Sequence, residues 1–257
     1  MAAALAAGRA AQNIYRGEFE VQRKADESPV TAADHAAEAI ILEHLARSVA
    51  DVPVVAEEEV AAGRIPRIAS EFFLVDPLDG TREFVARRGD YTVNIALIRA
   101  GEPVLGVVYA PARNALYAGD VMAREALYSQ QDPEQPMAGA RQPIRVRSVP
   151  SSGLTVVASR SHATPETDTY LAAYRVAERV SVGSSLKFCL VAAAQADLYP
   201  RLGPTMEWDT AAGHAVLVAA GGQVLAPDGQ PLRYGKPGFR NSNFVATGTL
   251  VPRPLAA

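Results

Sequence analysis

The sequence predicts an α/β protein of the layered α+β kind, with helices covering sheets. Three observations carry that expectation. The first half mixes helical patterns with apolar segments joined by tight turns, the mark of a largely antiparallel sheet. The second half alternates strand and helix. Between them, residues 129–143, SQQDPEQPMAGARQP, are rich in Gln, Pro and Gly, as a long surface connection would be. That divides the 257 residues into an N-terminal α+β half, 1–145, and a C-terminal α/β half, 146–257.

Each element has its own signal. The Ala-rich opening, MAAALAAGRAAQ, lacks a basic leader region and is broken by Gly8 and Arg9, so it reads as a first helix and not as a signal peptide. EFEVQRKADESPV alternates and then breaks at Pro29, a short strand or hairpin. Thr31 is a natural N-cap for a helix over TAADHAAEAIILEHLARSV, with Asp34 three residues on. VPVVAEEE and FFLV are short strands that end in carboxylates. TVNIALIRAGEPVLGVVYAPARNALYAG reads as three strands joined by turns at Gly101–Pro103 and Pro111–Asn114. Beyond residue 145 the pattern predicts a strand at LTVVASR, a helix around PETDTYLAAYRVA and a strand near ERVSVG. A helix at SLKFCLVAAAQA, a short strand at DLYPRL, a helix at DTAAGHAVLVAAG and a terminal hairpin at GGQVLAPDGQPL follow.

Composition excludes several classes of function. Net charge is −3, so no basic face for nucleic acid is expected. No stretch reaches the roughly 18 apolar residues of a membrane span. One cysteine, Cys189, rules out an intrachain disulfide and suits a reducing compartment. Its apolar helical setting predicts a buried, inert thiol. A soluble, cytoplasmic protein is expected, with peripheral attachment to the inner membrane left open, as a monomer or homodimer.

The chemistry gathers where strands end and helices begin. FFLVDPLDGTREF places Asp76 and Asp79 close together at the end of a buried strand, where they repel one another unless something positive lies between them. Glu57 ends VPVVAE, and Asp209 lies just before TAAGHAVL. Carboxylates on separate strand and helix ends suit a hard divalent cation, and Mg²⁺ commonly works on phosphates. Pro77 stiffens the turn and leaves the Leu78 carbonyl free to coordinate. Gly80 and Thr81 open a helix whose N–H groups can meet a phosphate oxygen. Each residue also has a plainer reading: Asp79 as a turn residue, Asp209 as an N-cap, Asp34 as part of a capping box, Glu57–Glu59 as a solvated loop. The Asp-x-x-Asp-Gly-Thr spacing is one residue longer than the Asp-x-Asp-Gly-Thr of aspartate-nucleophile phosphatases, which would misplace the second carboxylate.

With DPLDGT after a strand and WDTAAGH near the C-terminus, the chain resembles the inositol monophosphatase superfamily. KADESPVTAAD, GSSLKF and YPRLGPTMEWD make it similar, within that superfamily, to the CysQ-type 3′(2′),5′-bisphosphate nucleotidases. The resemblance implies an α-β-α-β-α sandwich and two or three Mg²⁺ held by Glu57, Asp76, the Leu78 carbonyl, Asp79 and Asp209. It implies that Asp34 and Thr81 orient and deprotonate the attacking water. The scissile phosphate would meet the metal site, Glu57, Leu78, Asp79, Gly80, Thr81 and Asp209. His162, Ser184, Ser185, Lys187 and Arg201 would hold the nucleotide and its other phosphate. Adenosine 3′,5′-bisphosphate would give AMP and phosphate, and its phosphosulfate adenylyl sulfate, in sulfate assimilation, with inhibition by lithium. Inositol monophosphatase or fructose 1,6-bisphosphatase activity is the alternative within the class. A nucleotide- or phosphate-sensing protein without catalysis is the alternative outside it. The short segment before KADESPVT leaves few residues for the first helix.

Overall fold

The computed structural model describes residues 1–24, 27–132, 139–158 and 164–255. The chain opens with α1 (Ala2–Arg16), a β1 (Val21–Arg23)–β2 (Pro29–Thr31) hairpin and α2 (Ala32–Ser48). β3 (Val54–Ala56), α3 (Glu57–Ala61), β4 (Glu71–Asp79), α4 (Thr81–Val85), β5 (Thr92–Arg99), β6 (Glu102–Ala110), β7 (Ala115–Asp120), β8 (Glu125–Gln130) and β9 (Arg141–Pro143) follow. The strands β3 to β9 form one seven-stranded sheet in chain order, with β3 parallel to β4 and every later pair antiparallel. The remainder supplies β10 (Leu154–Ala158), α5 (Pro165–Leu171), β11 (Val176–Ser181), α6 (Leu186–Ala192), β12 (Leu198–Arg201), α7 (Glu207–Ala219), β13 (Gln223–Leu225) and β14 (Phe244–Thr247). These strands make a five-stranded sheet in the order β11-β10-β12-β14-β13.

The layers follow from which faces are apolar. In α2, Ala33, Ala37, Ile41 and Leu45 recur every fourth residue and bury one stripe. Ala37, Ile41 and Leu45 of that stripe, with Ala4 and Leu5 of α1, cover Val75, Val93 and Ile95 on one face of the large sheet. The other face, carrying Phe72, Leu74, Ala96 and Ile98, packs on α6 and α7, which in turn meet Tyr199, Val224 and Phe244 of the small sheet. The outer face of that sheet, Val156, Leu198 and Val245, is closed by Leu171 of α5. The result is the five-layer α-β-α-β-α sandwich. Two glycines set how closely α7 lies on the large sheet. A Cβ at Gly106 would come within 2.3 Å of the Ala212 carbonyl, and one at Gly119 within 2.7 Å of the Val216 Cα.

Several expectations are corrected. The strand expected at FFLV runs on through Asp79, because β5 offers backbone partners that far. Both ends of the 129–143 connection are extended, as the last residues of β8 and as β9; residues 133–138 lie outside the described residues. In place of a local terminal hairpin, β13 pairs with β14, a strand not foreseen. β14 is buried at all four positions, so it shows no alternation to read. The first helix, despite the short segment available, has 15 residues and packs on the α2 layer. Cys189 is buried, as expected, and burial pushes its thiol far above the usual range. Among the described residues no helix is long and apolar enough to cross a membrane.

Candidate active site

A side chain three positions along a regular strand faces the opposite side of the sheet, so Asp76 and Asp79 should point apart. They do not, because a bulge interrupts β4 between them. Asp76 pairs with Asn94 and Asp79 with Thr92, so three steps on β4 span two on β5. The extra residue restores the same face, and both aspartates address one side. Asp76 is buried and its Oδ1 accepts the Leu78 N–H at 2.9 Å.

Gly80 then turns the chain with φ +91°, and a Cβ there would lie 2.9 Å from the Asp90 carbonyl, so only glycine fits without movement. The five-residue α4 is anchored by Phe84, which packs edge-on to Tyr91 at 4.9 Å beside Tyr15. That anchoring presents Thr81, whose Oγ1 lies 3.2 Å from both Asp34 Oδ1 and the Leu78 carbonyl. Asp34 fulfils both readings of its position. Its Oδ2 closes the capping box of α2 by accepting from the Thr31 N–H and hydroxyl, each at 2.8 Å, and its Oδ1 faces Thr81.

Glu57, expected at a strand end, is the first residue of α3. Asp209, expected before its helix, is the third residue of α7, and its Oδ2 accepts the Met206 N–H at 2.8 Å. The cap therefore occupies one oxygen of Asp209 and leaves the carboxylate directed at the cleft. From the second half, Ser184 Oγ and the Ser185 N–H donate to Asp79 Oδ2 at 2.7 and 2.6 Å. Glu57, Asp79, Gly80, Thr81 and Asp209 line a cavity of about 260 Å³, together with Ser184, Ser185, Lys187 and Arg201. His162 lies outside the described residues.

The cavity brings two kinds of charged group together, carboxylates and cations. Burial first, and then the charges of Glu57, Asp79 and Asp209, push Asp76 well above the usual carboxylate range. Asp209 is raised likewise, by burial and then by Asp79 and Glu57. Burial raises Glu57 and Asp79 too, opposed by Lys24 and Lys187 respectively. The cations of the lining, Lys187 and Arg201, are both buried. Arg201 donates to the Pro204 carbonyl at 2.9 Å, while its buried Nε has no partner among the described residues. A buried guanidinium N–H without an acceptor costs free energy until an anion supplies one.

Lys24 opens KADESPVTAAD, and nothing local in the sequence points to its role. Its Nζ is 2.6 Å from both Glu57 Oε1 and Glu58 Oε1. Among the described residues no three Asp, Glu, His or Cys side chains already close on one point as ligands round an ion do. The donor set nonetheless fits a hard cation: every group is an oxygen, four are carboxylates, and their mutual repulsion is relieved by positive charge.

A model of the inositol monophosphatase family matches residues 1–253. The 3′(2′),5′-bisphosphate nucleotidase CysQ of Escherichia coli (strain K12) is 47% identical over 246 residues, covering 93% of this chain and 96% of that protein. The crystal structure of CysQ from Bacteroides thetaiotaomicron, described as a bacterial member of the inositol monophosphatase family, superposes with a TM-score of 0.80 at 38% identity, covering 97% of this chain and 95% of that one. Inositol monophosphatase from Anabaena (Nostoc) sp. PCC 7120 gives 0.72 at 27% identity, covering 96% and 88%. By sequence over nearly its whole length, and by fold, this chain belongs to the inositol monophosphatase family.

Proposed function

We propose that this chain is a metal-dependent 3′(2′),5′-bisphosphate nucleotidase that hydrolyses adenosine 3′,5′-bisphosphate to AMP and phosphate. The observation that carries the reading is that two buried cations, Lys187 and Arg201, line the same cavity as Glu57, Asp79 and Asp209, with no partner for Arg201 Nε among the described residues. A monophosphate ester would engage the carboxylate groups alone; a bisphosphate can also use the cations.

Glu57, Asp76, the Leu78 carbonyl, Asp79 and Asp209 would hold two or three Mg²⁺. When bound, the cation neutralises phosphate charge and makes water a better nucleophile. The protein's own part is positional. Thr81, bonded to Asp34, fixes a water beside the phosphorus, and its hydroxyl passes the water's proton towards Asp34. Burial, the largest influence on Asp34, raises its carboxyl, the direction a proton acceptor requires. Water's oxygen bonds to phosphorus as the ester P–O bond breaks; the leaving oxygen takes a proton from solvent to become the ribose hydroxyl, and Asp34 returns its proton to solvent. Lys187 and Arg201 hold the second phosphate. With its single cysteine reduced and buried, the enzyme suits the cytoplasm.

A phosphate-release panel tests this: adenosine 3′,5′-bisphosphate, its phosphosulfate, inositol 1-phosphate, fructose 1,6-bisphosphate and AMP, each with Mg²⁺ and with EDTA. Release from the bisphosphate nucleotide that EDTA abolishes is expected. Preference for inositol 1-phosphate would leave the family and overturn the nucleotidase assignment.

The buried cations also predict a pH dependence. Burial pushes the Lys187 ammonium down from 10.5 to about 8, against the opposing attraction of Asp79. Below that pH the group is a cation; above it, a neutral amine that cannot balance a phosphate dianion. For adenosine 3′,5′-bisphosphate, kcat/KM should therefore fall as pH rises through about 8, by up to about tenfold per unit. Inositol 1-phosphate, lacking the second phosphate, should not show that limb. A shared limb would assign the titration to the metal-holding groups.

A further inference from the structure

Behind the cavity wall, β5 is buried along almost its whole length, and its neighbours Val93, Ile95, Ala96, Leu97 and Ile98 are apolar. Thr92 and Asn94 interrupt that pattern, both wholly inaccessible and neither lining the cavity. They stand opposite Asp79 and Asp76, across the bulge. Their polar atoms converge on the turn at Ser184–Ser185, about ninety residues away in sequence. The Ser185 hydroxyl donates to Asn94 Oδ1 at 2.7 Å, and Thr92 Oγ1 lies 3.0 Å from Ser185 Oγ. Thr92 also contacts the Ser184 hydroxyl. The orientation of the Asn94 amide is set by its surroundings. Its Nδ2 faces Asp79 Oδ2 at 3.5 Å, so the opposite atom is the acceptor.

The turn so held is not a relaxed one. Ser184 has φ +59°, a left-handed conformation that costs a residue with a Cβ. In that conformation its hydroxyl and the following N–H both engage Asp79 Oδ2. No hydrogen bond among the described residues engages Oδ1, which is thereby kept for the cavity. Apolar residues at 92 and 94 would satisfy an all-apolar strand better than a hydroxyl and an amide, unless the polar groups are needed to hold something.

We propose that Thr92 and Asn94 are positioning residues for Asp79. They lock the strained Ser184–Ser185 turn, which saturates one carboxylate oxygen and aims the other at the cation. The proposal rests on Asp79 being a metal ligand. Partners that orient ligands in this way are typically worth 10- to 100-fold in metal affinity.

Mn²⁺ binding to the full-length, substrate-free protein, followed by calorimetry and by the loss of the free-ion electron paramagnetic resonance signal, tests it without recourse to turnover. Thr92→Val keeps the branched shape and loses the hydroxyl; Thr92→Ser keeps the hydroxyl and loses the methyl. Thr92→Val should weaken Mn²⁺ binding by about 10-fold or more, and Thr92→Ser by less than about 2-fold. Asn94→Ala, which removes the acceptor of Ser185, should match Thr92→Val, and the double variant should lose much less than the product of the two. Wild-type affinity in Thr92→Val overturns the proposal, as does a larger loss in Thr92→Ser, the signature of packing. If Thr92→Val fails to fold, Asn94→Ala decides; loss of the fold in both would make the pair a folding element and overturn the proposal as well. No Mn²⁺ binding by the wild type would instead overturn the metal reading beneath it.

Discussion

Asp79→Asn should lower kcat by roughly 10³ or more, about 4 kcal/mol of transition-state stabilisation, with the fold intact. The substitution is isosteric, but no orientation of the amide satisfies both sides of the residue. One oxygen of Asp79 accepts from the Ser184 hydroxyl and the Ser185 N–H. If the new amide keeps its oxygen there, its NH₂ faces the cavity and repels a cation. If it turns over, NH₂ meets two donors. Stability should move the other way. The Asp79 charge is among the causes that raise both Asp76 and Asp209. Removing it relieves repulsion, so the metal-free Tm should be equal or higher while the increase in Tm on adding Mg²⁺ is lost. Unaltered turnover would remove Asp79 from the metal site.

Arg201→Ala should cost roughly 10- to 150-fold in kcat/KM for adenosine 3′,5′-bisphosphate, from the 1.5–3 kcal/mol typical of a charge-assisted hydrogen bond. In the proposed reaction the scissile phosphate would meet the metal-holding carboxylates, as any phosphomonoester could. Discrimination would then come from groups outside that set. Arg201 is suited to this: it is buried, and among the described residues it donates only to the Pro204 carbonyl and leaves its Nε without a partner. A guanidinium held that way can offer phosphate two parallel donors. Hydrolysis of inositol 1-phosphate, however slow, should be nearly unchanged in the variant. Equal losses on both substrates would mean that Arg201 supports the fold or the metal-holding groups.

Much of this was legible in the chain alone, because the signals are local. Thr31 with Asp34 announces the start of α2, and the fourfold spacing of Ala33, Ala37, Ile41 and Leu45 announces its buried stripe. The turns at Gly101–Pro103 and Pro111–Asn114 mark off β5, β6 and β7. The carboxylates of the site could be chosen because each falls at the junction of two such elements. What only the tertiary structure decided depends on distance through space between residues far apart in sequence. A period of two sends Asp76 and Asp79 to opposite faces, and only the pairing of β4 with β5 reveals the bulge that reunites them. Lys24 reaches Glu57, and Ser184 reaches Asp79, across 33 and 105 residues, separations at which no pattern in the sequence carries information. The burial of Lys187 and Arg201 is of the same kind. A cation on an exposed helix and a cation lining a cleft are spelled alike, and only the layers packed around them decide which it is.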